Sequence, residues 1–192
     1  PSRAFRSGSR WSASDAVTSS RRRSGRRPAG REDELPIEDT ADALQDPRPN
    51  PESAAHAASG GRSVLIAAEQ VTPEQLLAAP GYLFACPENL GSMSGAMKDM
   101  FDRCYYPLLG QAEGRPYASV IAAGSDGQGA QAQLDRIVTG WRLRRVADPL
   151  IVNLAAQTPA AILAPKQVPA DRLAASAALG AALAEGIALG VF

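Results

Sequence analysis

The amino-acid sequence predicts an α/β fold, a parallel sheet with helices on both faces, and three observations carry that prediction. Short apolar runs alternate with amphipathic helical stretches from Arg62 to the C-terminus. One run, Tyr117 to Ala123 (YASVIAA), offers both faces to a core, as a buried parallel strand should. Two runs end in Gly- and Ser-rich loops that lead straight into a helix, the place where ligands sit in such sheets.

Taken in order, Ser63 to Ala67 (SVLIA) is a short strand. Thr72-Pro73-Glu74-Gln75 starts a helix: Thr72 caps it, Pro73 suits the first helical position, and Gln75 returns a bond to the cap. Gly81 to Ala85 is the next strand. Cys86 and the loop PENLGSMSG, residues 87–95, follow it. Met93, Met97, Met100, Phe101 and Cys104 then recur at helical spacing and form one apolar face. Lys98 with Asp102, and Asp99 with Arg103, stand four apart on the other face. The third strand, Tyr117 to Ala123, ends in GSDGQGA, and the helix beyond carries Leu134, Ile137, Val138 and Trp141 on one side. Pro149 to Leu154 (PLIVNL) is a fourth strand. A last helix begins near Pro169-Ala170-Asp171 and carries Leu173, Gly180, Leu183 and Ile187 along one stripe.

The bulk numbers exclude several classes. A chain of 192 residues is the size of one ordinary domain. Its formal net charge of zero gives no argument for nucleic acid or a membrane as partner. The sequence shows no apolar run long enough to span a bilayer and no apolar signal segment. Two cysteines without a CxxC pair make a reducing cytoplasm the default. The single histidine, His56, lies in an Ala/Ser/Pro-rich stretch and reads as a solvated loop residue, which argues against a metal site or a histidine-based triad.

The zero average hides an asymmetry. Residues 1–31 hold nine Arg and one acidic residue, whereas residues 32–52 hold eight Asp or Glu and one Arg. Apolar residues there are scattered singly, so the segment cannot bury enough surface to offset its ordering entropy. Residues 1–60 are therefore expected to be mostly disordered, with at most a short helix near Ile37 to Leu44, and residues 61–192 to form the folded domain. The run Arg21-Arg22-Arg23 has nucleic-acid chemistry, but a solvated tail neutralised by its acidic neighbour is the simpler reading.

The two loops at strand exits carry the functional chemistry. Gly91, Gly95, Gly124, Gly127 and Gly129 let backbone N–H groups approach a ligand, Ser92, Ser94 and Ser125 add donors, and a helix N-terminus near Ser94 faces the same crevice. Such a site suits a planar, electron-rich or anionic molecule. Gly and Ser are also ordinary in tight turns; the placing of both loops at adjacent strand ends is what favours a site. GSMSG is no nucleophile elbow, since Met93 stands where Ser would be needed, and GSDGQGA lacks the Lys of a phosphate-cradling loop. Cys86 reads as a buried small hydrophobe rather than a reactive thiol.

The stretch PENLGSMSGAMK with Asp102-Arg103 resembles the second flavin loop of flavodoxin-like NAD(P)H-dependent FMN reductases. Cys104-Tyr105-Tyr106-Pro107, the loop Ala123 to Gly127, and the segments Trp141 to Leu143 and Leu150 to Val152 are also similar to that family, so the resemblance covers about residues 63–192. It implies a flavodoxin-like three-layer sandwich with a parallel sheet in the order 2-1-3-4-5. It implies FMN across the carboxyl ends of the strands, hydride from NADPH or NADH, and a quinone or free flavin as acceptor, in the cytoplasm. Cofactor contacts would come from Pro87, Glu88, Asn89, Leu90, Gly91, Ser92 and Met93 on one side of the ring. Gly124, Ser125, Asp126 and Gly127 would flank the other. The flavin carries the chemistry, so no side chain is expected to act as a strong acid or base and no metal is implied. A homo-oligomer stays open.

One departure stands out. The family opens with a central strand and an S-x-T-G loop that grips the FMN phosphate, and nothing in residues 1–60 has that form. Ser63 to Ala67 matches the family's second strand. The first strand is thus expected to be missing or replaced, and residues 1–60 not to represent the family's native N-terminal sequence, with a frameshift or a wrong start as the cause. Two rival readings follow: an interaction module that kept the fold and lost the flavin, and an Arg-rich nucleic-acid binder with an α/β body.

Overall fold

The computed structural model describes residues 50–192 and the backbone of residues 16–20. The elements are β1 (Ala16–Ser20), α1 (Pro51–Ala58), β2 (Ser63–Ala67), a 3₁₀ turn (Ala68–Gln70), α2 (Pro73–Ala78), β3 (Tyr82–Asn89), β4 (Ser92–Met93) and α3 (Gly95–Leu108). They continue with β5 (Pro116–Ala123), α4 (Gln128–Gly140), β6 (Arg144–Arg145), β7 (Leu150–Asn153), α5 (Pro159–Leu163) and α6 (Ala170–Leu189). The sheet runs β2-β1-β3-β5; β6 and then β7 both pair with β5 on its far side.

Side-chain alternation along the strands builds two cores. Tyr82, Phe84 and Cys86 of β3, with Ile121 of β5, face Leu76 of α2, the Met97, Met100, Phe101 and Cys104 stripe of α3, and Leu134, Val138 and Trp141 at α4. Leu83 and Ala85 of β3, Ala118 and Val120 of β5 and Val152 of β7 face the other way, onto Ala55 of α1 and Leu183 and Ile187 of α6. The result is the expected three-layer sandwich. The capping box on α2 forms as the sequence predicts, with Thr72 Oγ1 accepting from Gln75 N–H and Gln75 Oε1 accepting from Thr72 N–H.

The N-terminal expectation needs two corrections. The first strand is replaced rather than missing, one of the two alternatives expected: Ala16–Ser20 lies between β2 and β3. It runs antiparallel to both, so the sheet is mixed rather than wholly parallel. The segment AVTSS has β-branched Val17 and Thr18 but too few apolar residues to read as a central strand. Second, Pro51–Ala58 is a helix inside the segment read as disordered. Asn50 caps it by accepting from Ser53 N–H at 2.8 Å, Pro51 takes the first position, and Ala55 is buried against the C-terminal helix, where a Cβ on Gly180 would overlap the Ala55 carbonyl. Its run of alanines gives little amphipathic contrast in sequence. His56 sits on this helix rather than in a solvated loop, its Nδ1 2.8 Å from Ser63 Oγ. The helix considered near Ile37 to Leu44, and the Arg21-Arg22-Arg23 run, lie outside the described residues.

By length and composition α6 could cross a membrane, the one such helix among the described residues. Its Gly180, Leu183 and Ile187 stripe instead packs on α1 and the sheet. Cys86 and Cys104 are buried and form no disulfide. Burial pushes the Cys104 thiol above its ordinary value, so it is protonated and a poor nucleophile at neutral pH. Neither thiol is expected to react with a disulfide reagent such as DTNB in the native protein within the time that urea-unfolded protein reacts fully. Stoichiometric native labelling would show that one of them reaches solvent.

Candidate functional site

The carboxyl ends of β3, β5 and β7 gather three loops. β3 does not stop at Ala85: it runs on through Pro87, Glu88 and Asn89, then folds back into β4, with Glu88 opposite Met93 and Asn89 opposite Ser92. The turn between them is two residues, Leu90 and Gly91, at φ 54° and 72°. Positive φ at both positions is what a two-residue hairpin requires when its twist must match the strands. Glycine adopts it freely. Leu90 does so at a cost of about 1–2 kcal/mol and projects fully into solvent. Ser94 then caps α3, its Oγ accepting from Met97 N–H at 3.2 Å.

The second loop, Gly124 to Gly127, leads into α4. Ser125 and Asp126 are exposed. Asp126 Oδ1 accepts from Gln128 N–H at 2.9 Å. Gly127 is buried at φ 74°, and a Cβ there would stand 2.7 Å from Ile151 Cγ2, so both conformation and space demand glycine. The third loop, after β7, was not singled out from sequence. Asn153 Nδ2 donates to Ser125 O, its Oδ1 accepts from Ala155 N–H at 2.8 Å, and Leu154 N–H donates to Ala123 O at 2.8 Å. A polar residue closing the apolar run PLIVN was its only sequence signal.

The loops are tied together. Glu88 Oε1 accepts from Gly127 N–H at 3.2 Å and its Oε2 from Ala130 N–H at 3.0 Å. Gln133 Oε1 accepts from Ser92 Oγ at 2.5 Å and from Met93 N–H at 3.0 Å. Gly91 O lies against Gly129, where any Cβ would overlap it. The eleven residues named from sequence thus converge on one edge, but not in one role. Asn89, Leu90, Gly91, Ser125 and Asp126 are exposed there. Pro87 and Met93 are buried, and the Glu88 carboxylate is turned into the start of α4. Gln133 carries contacts that no motif announced, and Gly129, named from sequence for backbone access to a ligand, instead makes room for Gly91 O.

A flavin mononucleotide asks two things of this edge, a grip on a planar ring and a grip on a phosphate. For the ring, this edge offers the exposed hairpin tip and the exposed 125–126 turn, backed by fixed backbone. The phosphate end differs. Ser19 pairs with Tyr82 and Ser20 with Ser63, at the opening ends of β3 and β2, so β1 exits at the edge opposite the three loops. The start of α1 offers no alternative: Pro51 has no N–H, Asn50 already takes the Ser53 and Ala54 N–H groups, and Glu52 buries a carboxyl group in the first turn. Among the described residues, neither the exit of β1 nor the start of α1 brings a phosphate cradle to this edge.

Residues 56–157 match the sequence model of the NADPH-dependent FMN reductase family, a span that holds all three loops and excludes β1. Among solved structures the chain is similar to a flavodoxin from the domain Archaea, with 13% identity over 70% of this chain and 86% of that one and a TM-score of 0.50. It is also similar to a flavodoxin, a WrbA-like protein from Agrobacterium tumefaciens, with 16% identity over 70% and 85% and a TM-score of 0.50. At that identity the structural likeness speaks for the fold. No curated protein gives a significant match. With more than half of the sequence matched and the loop-bearing edge inside the matched span, the chain belongs to the NADPH-dependent FMN reductase family, whose cofactor is FMN and whose donor is NADPH.

Proposed function

We propose that this chain is a flavin-dependent oxidoreductase that holds the flavin ring between the Asn89 to Gly91 hairpin tip and the Ser125 to Asp126 turn, with electrons passing from NAD(P)H to a quinone or a free flavin. The observation that carries this reading is the convergence of those two loops at the carboxyl ends of adjacent strands, fixed to each other by Glu88 and Gln133. FMN, when bound, supplies the hydride chemistry. The protein's own part is binding and orientation through backbone groups, with the apolar Leu90 side chain projecting at the rim.

The reading includes an impaired phosphate grip, because β1 runs the wrong way for the loop after it to reach this edge. The same observation favours the second reading, a module that keeps the fold and has lost the cofactor. Titration with riboflavin, followed by NADPH oxidation with added FMN and a water-soluble quinone, separates the two. Riboflavin quenching that saturates, with NADPH consumed only when flavin is added, is the expected result. Absence of any flavin binding at millimolar concentration would leave the interaction module.

A further inference from the structure

We infer that Glu88 and Gln133 are positioning residues that latch the Leu90-Gly91 hairpin to the start of α4, so that the ring-binding surface is formed before any flavin arrives and its α4 end takes a neutral group rather than an anion. The inference rests on the proposed function for the identity of the ring, but the latch itself is a property of the protein alone.

Left to itself the hairpin is weak. It has two ladder pairs and a two-residue turn with a leucine in the left-handed region. Isolated two-stranded hairpins are marginal in water at best. Four hydrogen bonds replace what the hairpin lacks. Two run from the α4 N-terminal N–H groups of Gly127 and Ala130 to the Glu88 carboxylate, and two from Ser92 and Met93 to Gln133 Oε1. Bonds to a charged acceptor are the stronger kind, and a carboxylate at a helix N-terminus also gains from the helix dipole.

The far side of the latch is anchored as well. Ser119 Oγ on β5 donates to Gln131 Oε1 at 2.8 Å, Gln131 Nε2 donates to Asp135 Oδ1 at 2.9 Å, and Tyr117 Oη on β5 donates to the same Asp135 Oδ1 at 2.7 Å. Ser119 and Gln131 are both buried. A continuous path of hydrogen bonds therefore joins β5 to α4 and α4 to the hairpin. Two otherwise orphaned donors of α4 are satisfied by Glu88, so the helix start that would ordinarily attract a phosphate already holds an anion.

The test needs no turnover. In the flavin-free protein, amide hydrogen exchange is read at Met93, Gly127 and Ala130, the three backbone donors of the latch, alongside riboflavin titration by fluorescence quenching. Glu88→Gln places an amide nitrogen against one of the two donors, and Gln133→Leu removes the shared acceptor. Both are expected to speed exchange at these amides and to weaken riboflavin about tenfold or more, while exchange in the centre of β5 stays as in the wild type. Gln133→Glu keeps an acceptor oxygen and is expected to restore protection, which a general loss of stability would not do. Wild-type exchange at the three amides as fast as in both variants would overturn the latch, as would equal behaviour of Gln133→Glu and Gln133→Leu. If the wild type protects these amides but binds no riboflavin, the latch stands and the flavin reading falls.

Discussion

Gly129→Val is expected to lower riboflavin affinity by more than about a hundredfold, roughly 3 kcal/mol. A Cβ at this position overlaps Gly91 O, approaches Gly91 C at 2.8 Å and meets Glu88 Oε2 at 3.3 Å. The first two are backbone atoms, so no rotamer relieves the overlap: either α4 retreats or the hairpin tip does. α4 is held to β5 by the Ser119, Gln131, Asp135 and Tyr117 network. The hairpin tip is exposed, so the tip is the part that moves. Overpacking of this kind usually costs about 1–3 kcal/mol of stability. The affinity loss should exceed what the shift of the urea midpoint accounts for. Gly91→Val has open space but a φ of 72°, and Gly124→Val meets Ala156 O at 3.0 Å; both should weaken the ring grip less than Gly129→Val. A Gly129→Val protein that folds and binds riboflavin like the wild type would remove the hairpin from the site.

FMN and riboflavin are expected to bind this chain with nearly equal affinity. They differ only in the phosphate, and hydrogen bonds to a charged group contribute about 1.5–3 kcal/mol each. A site with three or four such bonds would separate the two ligands by several orders of magnitude. Here β1 delivers its exit to the opposite edge, and the first turn of α1 carries Glu52 and no free proline N–H. Parallel quenching titrations measure the ratio directly. A submicromolar FMN affinity with riboflavin a hundredfold weaker would place a phosphate grip in residues outside the described ones, and the impairment would be withdrawn.

What the sequence made legible followed from residues that answer to one local rule each. The Met97, Met100, Phe101 and Cys104 stripe, the Thr72-Pro73-Gln75 start and the apolar run of β5 all behave as their periodicity and caps require, because local preference and core burial agree there. The loops Asn89 to Gly91 and Ser125 to Gly127 were legible as tight turns at one sheet edge for the same reason: their glycines answer to a local backbone requirement. Glu88 was legible as a motif position but not in its role, since only the meeting of β3 with α4 shows where its carboxylate goes. Gln133 lies forty residues from Met93 in sequence and carries no pattern at all. The strand Ala16–Ser20 escaped because its place in the sheet is set by its two neighbours, not by its own composition.

That strand has a consequence for how the chain folds. β2 and β3 have no ladder with each other; they are joined only through β1, which pairs Ala16 with Ala67 on one side and with Ala85 on the other. Both pairings close long loops, whereas β3, α3, β5, α4 and β7 assemble from neighbours in sequence. The half of the sheet from β3 to β7 should therefore form first and β1 should enter late, into a gap with an unsatisfied strand edge on each side. Until it enters, β2 and β3 both present open ladders to other chains. The species most prone to aggregate is then an intermediate with a finished loop-bearing edge and a vacant centre, and refolding yield should fall with protein concentration even where the final state is monodisperse.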